Sequence, residues 1–239
     1  MPWTHLFAAG PAQPASTPSD AGRQLTYRQA LLEAQRQALA ADAAVVVMGE
    51  GVDDAAGSFG TTLGLQEQFG ADRVFDLPLA ENGCMGLALG AALAGLRPIV
   101  VHLRADFLLL ALDQLANHAA KWRYMFHARQ TAPLVVRCVV GRGWGSAAQH
   151  SQPLHGVLMQ FPGLKVALPA TPHDAKGLLL AAIADAGPVV LLEHRWLYDD
   201  LGPVPEAVYG VPLGRAAVRR KGKDVTIAAV SLMVREALA

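Results

Sequence analysis

Two side chains in this sequence have the type and the setting to move protons: Glu81 and His150. Glu81 stands at the head of an apolar segment, Asn82 to Leu96, with no lysine or arginine within six residues on either side. A carboxylate set in an apolar wall has its proton affinity raised by desolvation and can share a proton with a ligand. The same residue in the first turn of a helix also favours the positive end of the helix dipole, an effect of about 0.3–1 kcal/mol. The local sequence leaves both readings open. His150 lies in a glycine-rich stretch, Gly141 to Gln152; an imidazole there can both give and take a proton, or simply be a surface loop residue. Other chemistries are excluded. Gly141-Arg-Gly-Trp-Gly lacks the third spaced glycine and the downstream acid of a dinucleotide-binding turn. No Gly-x-Ser-x-Gly elbow is present. The eight histidines show no metal-ligand spacing, and Cys84 and Cys138, both in apolar settings, make no disulfide framework.

The elements that must position these residues alternate between β and α patterns. Thr26 reads as the N-cap of a helix over 27–41, followed by a strand at 44–48, a glycine-rich loop at 49–60 carrying Asp53 and Asp54, and a helix ending near Phe69. Val74 to Asp76 reads as a strand, and a helix starts near Glu81. That helix is apolar nearly all round, which predicts burial; its small residues Gly83, Gly86, Gly90 and Ala94 fall on one stripe, which predicts a close backbone neighbour. Strands follow at 98–102, 134–140, 164–168 and 189–193. Between them lie helices at 107–126 (its first half expected to be buried on every side), 153–160 and 172–186. This alternation predicts an α/β fold: a doubly wound, mostly parallel sheet with helices on both faces.

The chain as a whole sets outer bounds. Its 239 residues are 52% hydrophobic, enough for a sizeable core, and 20 Lys+Arg balance 20 Asp+Glu. Nothing points to nucleic acid or a membrane surface, no apolar run is long enough to span a bilayer, and a cytoplasmic location is expected. Residues 1–23 are expected to be a disordered leader rich in Pro, Ala and Ser, 24–194 the α/β domain, and 195–223 a connector. Residues 224–239, with a strand at 225–230 and a helix from about Val234, are expected to open a further domain that is incomplete.

The motifs in order are Leu25-Thr-Tyr-Arg, Val47-Met-Gly-Glu, Pro78-Leu-Ala-Glu-Asn-Gly, Ala105-Asp-Phe, His118-Ala-Ala-Lys, Ala148-Gln-His-Ser-Gln, Pro162-Gly-Leu-Lys-Val and Thr171-Pro-His-Asp-Ala-Lys-Gly-Leu. Together they resemble the β subunit of the thiamine-diphosphate-dependent 2-oxoacid dehydrogenases, the first component of the pyruvate and branched-chain complexes, with its transketolase-like pyrimidine-binding domain. The resemblance implies that Glu81 hydrogen-bonds the aminopyrimidine ring of thiamine diphosphate and favours the imino tautomer, which removes the thiazolium proton. It also implies that Phe107 stacks on the pyrimidine and that His150 serves acyl transfer to a lipoyl group. Ala182, Ile183 and Asp185 are similar to part of a structural potassium site. The implied partners are an α subunit, which holds most of the Mg²⁺ and diphosphate, a second copy of this chain and a lipoyl-bearing acyltransferase. The sequence departs from the family at Phe126-His-Ala, at Cys138-Val-Val-Gly and at Arg104, where the family usually has an uncharged residue. A truncated, non-catalytic paralogue is the alternative reading; half of a split transketolase or deoxyxylulose-phosphate synthase fits the fold but matches the motifs less well.

Overall fold

In the computed structural model, which describes residues 22–239, valine-rich runs form a six-stranded, wholly parallel sheet. In chain order the described elements begin with β1 (Gln24–Thr26), α1 (Tyr27–Ala41), β2 (Val45–Gly49), a distorted turn α2 (Gly57–Gly60), α3 (Leu65–Phe69) and β3 (Val74–Asp76). They continue with α4 (Glu81–Leu93), β4 (Arg97–His102), α5 (Ala120–Met125), β5 (Val135–Val140), α6 (His155–Leu158) and β6 (Lys165–Ala167). α7 (Pro172–Ala184), β7 (Val189–His194), β8 (Leu201–Pro203) and α8 (Leu232–Leu238) complete the series. The sheet order is β3-β2-β4-β5-β7-β6, and β1 pairs separately with β8, antiparallel.

Alternation along the strands divides the core in two, because successive side chains point to opposite faces. Val45, Val47, Ile99, Val101, Val135 and Val189 pack with α1 and α7. Val46, Met48, Val100, Val136, Val190 and Leu192 pack with α4 and the segment Leu108 to Ala119. Helices therefore cover both faces, as expected. Thr26 caps α1 with a reciprocal capping box, its side chain accepting from Gln29 N while Gln29 Oε1 accepts from Thr26 N.

Two ionic groups are buried within this frame. Arg137, in mid-β5, donates from Nε and Nη2 to the two oxygens of Glu193 at 2.6 and 2.8 Å, and from Nη1 to Gln35 at 2.9 Å. The Tyr198 hydroxyl donates to Glu193 at 3.0 Å. Lys176 on α7 reaches Glu33 on α1 at 2.6 Å and the carbonyl oxygens of Pro205, Glu206 and Ala207.

Several expectations are corrected. No strand forms over 225–230: that segment is irregular, mostly exposed and paired with no strand of either sheet. α8 does form; Leu232 is buried, and Arg235 holds Asp200 at 3.0 Å. The expected single helix over 107–126 is a 3₁₀ turn at Phe107–Ala111, a π turn at Gln114–Ala119 and then α5. Its first half is not buried all round, since Leu110 is 61% exposed. Nor is α4. Leu87 is 53% exposed, and the positions a Cβ would take at Gly83 and Gly90 meet nothing within 4 Å. The glycine stripe faces outward, away from the sheet. The expected leader falls, up to residue 21, outside the described residues. No helix among the described residues is long and apolar enough to cross a membrane.

Candidate active site

The carboxyl ends of the parallel strands gather the chemistry, as is general for open α/β sheets. Between β2 and β4 the strand order reverses, and here Glu50 and His102 meet: His102 Nδ1 lies 3.2 Å from Glu50 Oε1, and Leu103 N donates to Oε2 at 3.2 Å. Burial would raise the Glu50 carboxyl, but the contacts with His102 and the Leu103 amide outweigh it and hold it below the usual range. Gly49 permits this approach, since a Cβ there would lie 2.2 Å from Val101 O.

Just beyond β4, Phe107 opens the 3₁₀ turn, half-buried, and meets the His150 ring edge-on with centroids 5.1 Å apart. The chain reaches this contact from 43 residues away in sequence because Asp106, itself buried, clamps the loop: its Oδ1 accepts from Gln152 N at 3.2 Å and from Gln152 Nε2 at 2.9 Å. Two of the three expected site residues are thus in direct contact. Glu81 begins α4, which packs against the Phe107 turn. It is half-buried, not sealed in an apolar wall, and among the described residues its carboxylate forms no hydrogen bond or ion pair. An unpaired carboxylate, a half-buried aromatic ring and the imidazole against it are groups that fit the pyrimidine half of a thiamine cofactor.

Residues 23–200 match the family model described as transketolase, pyrimidine binding domain. The chain belongs to that family. Its relatives include the β subunit of acetoin:2,6-dichlorophenolindophenol oxidoreductase from Cupriavidus necator, 43% identical over 90% of this chain and 67% of the relative. The β subunit of the pyruvate dehydrogenase E1 component from Bacillus subtilis is 44% identical over 90% of this chain and 66% of the relative. The β subunit of 2-oxoisovalerate dehydrogenase from the same organism is 42% identical over the same shares. The chain spans about two thirds of the length of these relatives. A split-gene transketolase, described as an inactive β4 tetramer, shares the fold with a TM-score of 0.67 at 22% identity, over 90% of this chain and 64% of that one.

The family frame sharpens three further observations. The expected potassium ligands are already engaged. Ala182 O accepts from Asp185 N at 3.2 Å, and Arg97 Nη1 donates to Ile183 O at 2.5 Å and to Asp185 O at 3.2 Å. The Asp185 carboxylate takes Lys165 Nζ at 2.5 Å and Gly187 N at 2.8 Å. The Arg97 guanidinium thus sits at the carboxyl end of α7, where positive charge is favoured. Asp53, Asp54 and Asp76 bring oxygens within 4.8 Å of one another. Asp76, however, accepts from the amides of Gly51, Val52 and Asp53 and so serves as a cap for that turn. An open depression of about 680 Å³ lies at the opposite, amino-terminal edge of the sheet, between Asp42, Arg97 and Pro133, away from every residue of the site.

The sequence motifs contain Glu50, Asp106 and Gln152 but not His102, and they do not reveal the Glu50–His102 pair or the Asp106 clamp. Asp106 was legible as the residue beside Phe107, but its grip on Gln152 depends on the placement of the β5 loop.

Proposed function

We propose that this chain is the β-type subunit of a thiamine-diphosphate-dependent 2-oxoacid dehydrogenase. It would act in oxidative decarboxylation of a 2-oxoacid with acyl transfer to lipoyl, together with an α-type partner. The observation that carries this reading is the Phe107–His150 contact, with an unpaired Glu81 at the start of α4, the helix that packs on the Phe107 turn. Thiamine diphosphate, when bound, supplies the carbanion that adds to the 2-oxo carbon. Phe107 would hold the pyrimidine by its face, and Glu81 would hold a proton at a pyrimidine nitrogen, a role that requires the carboxyl to be desolvated. In the isolated chain Glu81 is only half-buried, so docking of a partner over the exposed face of α4 would complete its environment. Leu87, Leu109 and Leu110 give that face the apolar character of a covered surface. Mg²⁺ and the diphosphate would be held by the partner.

His150, edge-on to Phe107, would give or take a proton during transfer of the acyl group to lipoyl. The acetoin-oxidoreductase relatives supply a second reading, a neutral hydroxyketone as substrate in place of the 2-oxoacid.

The test uses the chain assembled with its α-type partner. Glu81→Gln should slow deuterium exchange at the thiazolium carbon by about 10²-fold or more, the usual range for a positioned acid–base group. His150→Ala should spare decarboxylation with an artificial electron acceptor and impair acylation of a lipoyl domain. An unchanged exchange rate in the first variant overturns the reading.

A further inference from the structure

Two buried guanidinium groups with no carboxylate partner flank the start of the loop that carries His150. Arg104 is 7% exposed and Arg195 8% exposed, and among the described residues neither touches a carboxylate. Arg104 makes one long hydrogen bond, from Nη1 to Gly141 O at 3.4 Å. Both terminal nitrogens of Arg195 are buried without a hydrogen-bond partner, the guanidinium meeting only the face of Trp144. The two side chains converge on the same loop: Arg104 grips its first residue, and a Cβ at Gly143 would lie 3.3 Å from the Arg195 guanidinium carbon. Gly141 to Gln152 contains no acidic residue, and Arg142 adds a third positive charge at the rim, over the Trp196 ring. Burial lowers the proton affinity of Arg195, and the charge of Arg104 lowers it further. An unpaired buried charge is costly to a fold, and two side by side mark a site whose counter-ion arrives with a ligand.

We propose that Arg104 and Arg195 form a subsite for a second, non-reacting carboxylate of the substrate, so that the enzyme takes a dicarboxylic 2-oxoacid. This rests on the reading of the chain as part of a 2-oxoacid dehydrogenase. The scissile carboxylate is the poorer occupant: two guanidiniums on it would favour the ground state over a transition state that is losing that charge. A distal carboxylate keeps its charge throughout, and planar guanidiniums match its geometry. The pair also disfavours a neutral hydroxyketone. Trp144 roofs the site, with its ring 3.1 Å from the Arg195 guanidinium carbon while 78% exposed, so swinging it aside forfeits little burial.

The test is titration of the purified chain with glutarate, acetate and inorganic phosphate, followed by calorimetry and by Trp144 emission, with Trp144→Phe as the optical control. Saturable glutarate binding at least tenfold tighter than acetate or phosphate is expected. It should be weakened at least tenfold in Arg104→Met and in Arg195→Met, and partly kept in Arg195→Lys. Circular dichroism identifies variants that fold, and either methionine variant alone suffices. No saturable glutarate binding by the wild-type chain, glutarate binding no tighter than phosphate, or unchanged binding in a folded methionine variant overturns the proposal. In the assembled enzyme, kcat/KM for a dicarboxylic over a monocarboxylic 2-oxoacid should fall at least tenfold in Arg195→Met. If the partner's docking abolishes glutarate binding, the arginines serve the interface and the proposal fails. If glutarate binds but the assembly turns over no 2-oxoacid, the subsite stands and the reaction reading falls.

Discussion

Arg137, on β5, and Arg195, just past the end of the neighbouring strand β7, are both buried arginines, yet they live in opposite circumstances. Arg137 lies in mid-strand, and each of its three guanidinium nitrogens has an acceptor: both oxygens of Glu193, and Gln35. Arg195 lies one residue past the end of β7, with both terminal nitrogens bare. The first arrangement is saturated, so it holds the sheet to α1 and has nothing left to offer a ligand. The second is unsaturated at the edge where parallel sheets bind ligands. Satisfied charge belongs to the scaffold and unsatisfied charge to function.

Mutation separates the two. Glu193→Leu strands the Arg137 charge in the core and removes the acceptor of Tyr198, so it should cost about 3–5 kcal/mol in urea unfolding. A loss under 1 kcal/mol would show that Arg137 is as loosely held as Arg195. The next effect is collective and appears in acid. Burial alone would raise Glu33 and Asp174. Arg23 and Lys176 around the first, and His173, Arg219 and Thr171 around the second, outweigh it and hold both below the ordinary carboxylate range. Groups depressed in the folded state contribute stability that is fully present above the unfolded carboxylate range, near pH 4, and lost as pH falls through the folded values. The contribution of these two carboxylates should therefore be flat from pH 6 to 8 and fall progressively below pH 4; stability that rises on acidification below pH 4 would contradict these pairings.

Arg97 is the intermediate case, a guanidinium satisfied by carbonyl oxygens alone. Arg97→Met should cost about 1.5–3 kcal/mol, the range for hydrogen bonds to a charged group. The melting temperature of the wild-type chain should be the same in potassium, sodium or choline chloride, and a potassium-specific rise would show that an ion does find ligands there. Smallest of all, Arg195→Met should change stability by no more than about 1 kcal/mol, with stabilisation a natural outcome, because it removes a buried charge that no protein group balances. A loss comparable to that of Glu193→Leu would erase the distinction between the two arginines.

Much of this was legible in the sequence, for reasons that can be named. The strand at Val74 to Asp76 and the helix from Glu81 sit where the pattern placed them, because β-branched runs and local turn chemistry decide such elements. Phe107 and His150 were singled out separately, and the fold brings them together. Arg195 read only as the start of a connector: its isolation follows from the pairing of β5 with β7, and register is non-local. The outward stripe on α4 was misjudged for a related reason. An apolar helix is covered, but composition does not say by which chain, and here the sheet covers only one side. Val225 to Val230 carries a strand pattern without a strand, because local β preference needs a neighbour to realise it.

The pairing of the first helix with α7 sets the order in which the molecule can be completed during its synthesis. α1 buries its apolar face mainly against α7, and β1 closes on β8. About 130 residues separate the end of α1 from the start of α7, so at about 5–20 residues per second the ribosome needs about 7–26 s to supply the partner. β6 is made before β7, its only neighbour in the sheet, and must wait as well. The nascent chain thus carries Leu31, Leu39 and an unpaired strand edge in the open until more than two thirds of its length has emerged. That interval, more than the finished fold, is when a chaperone would find something to hold.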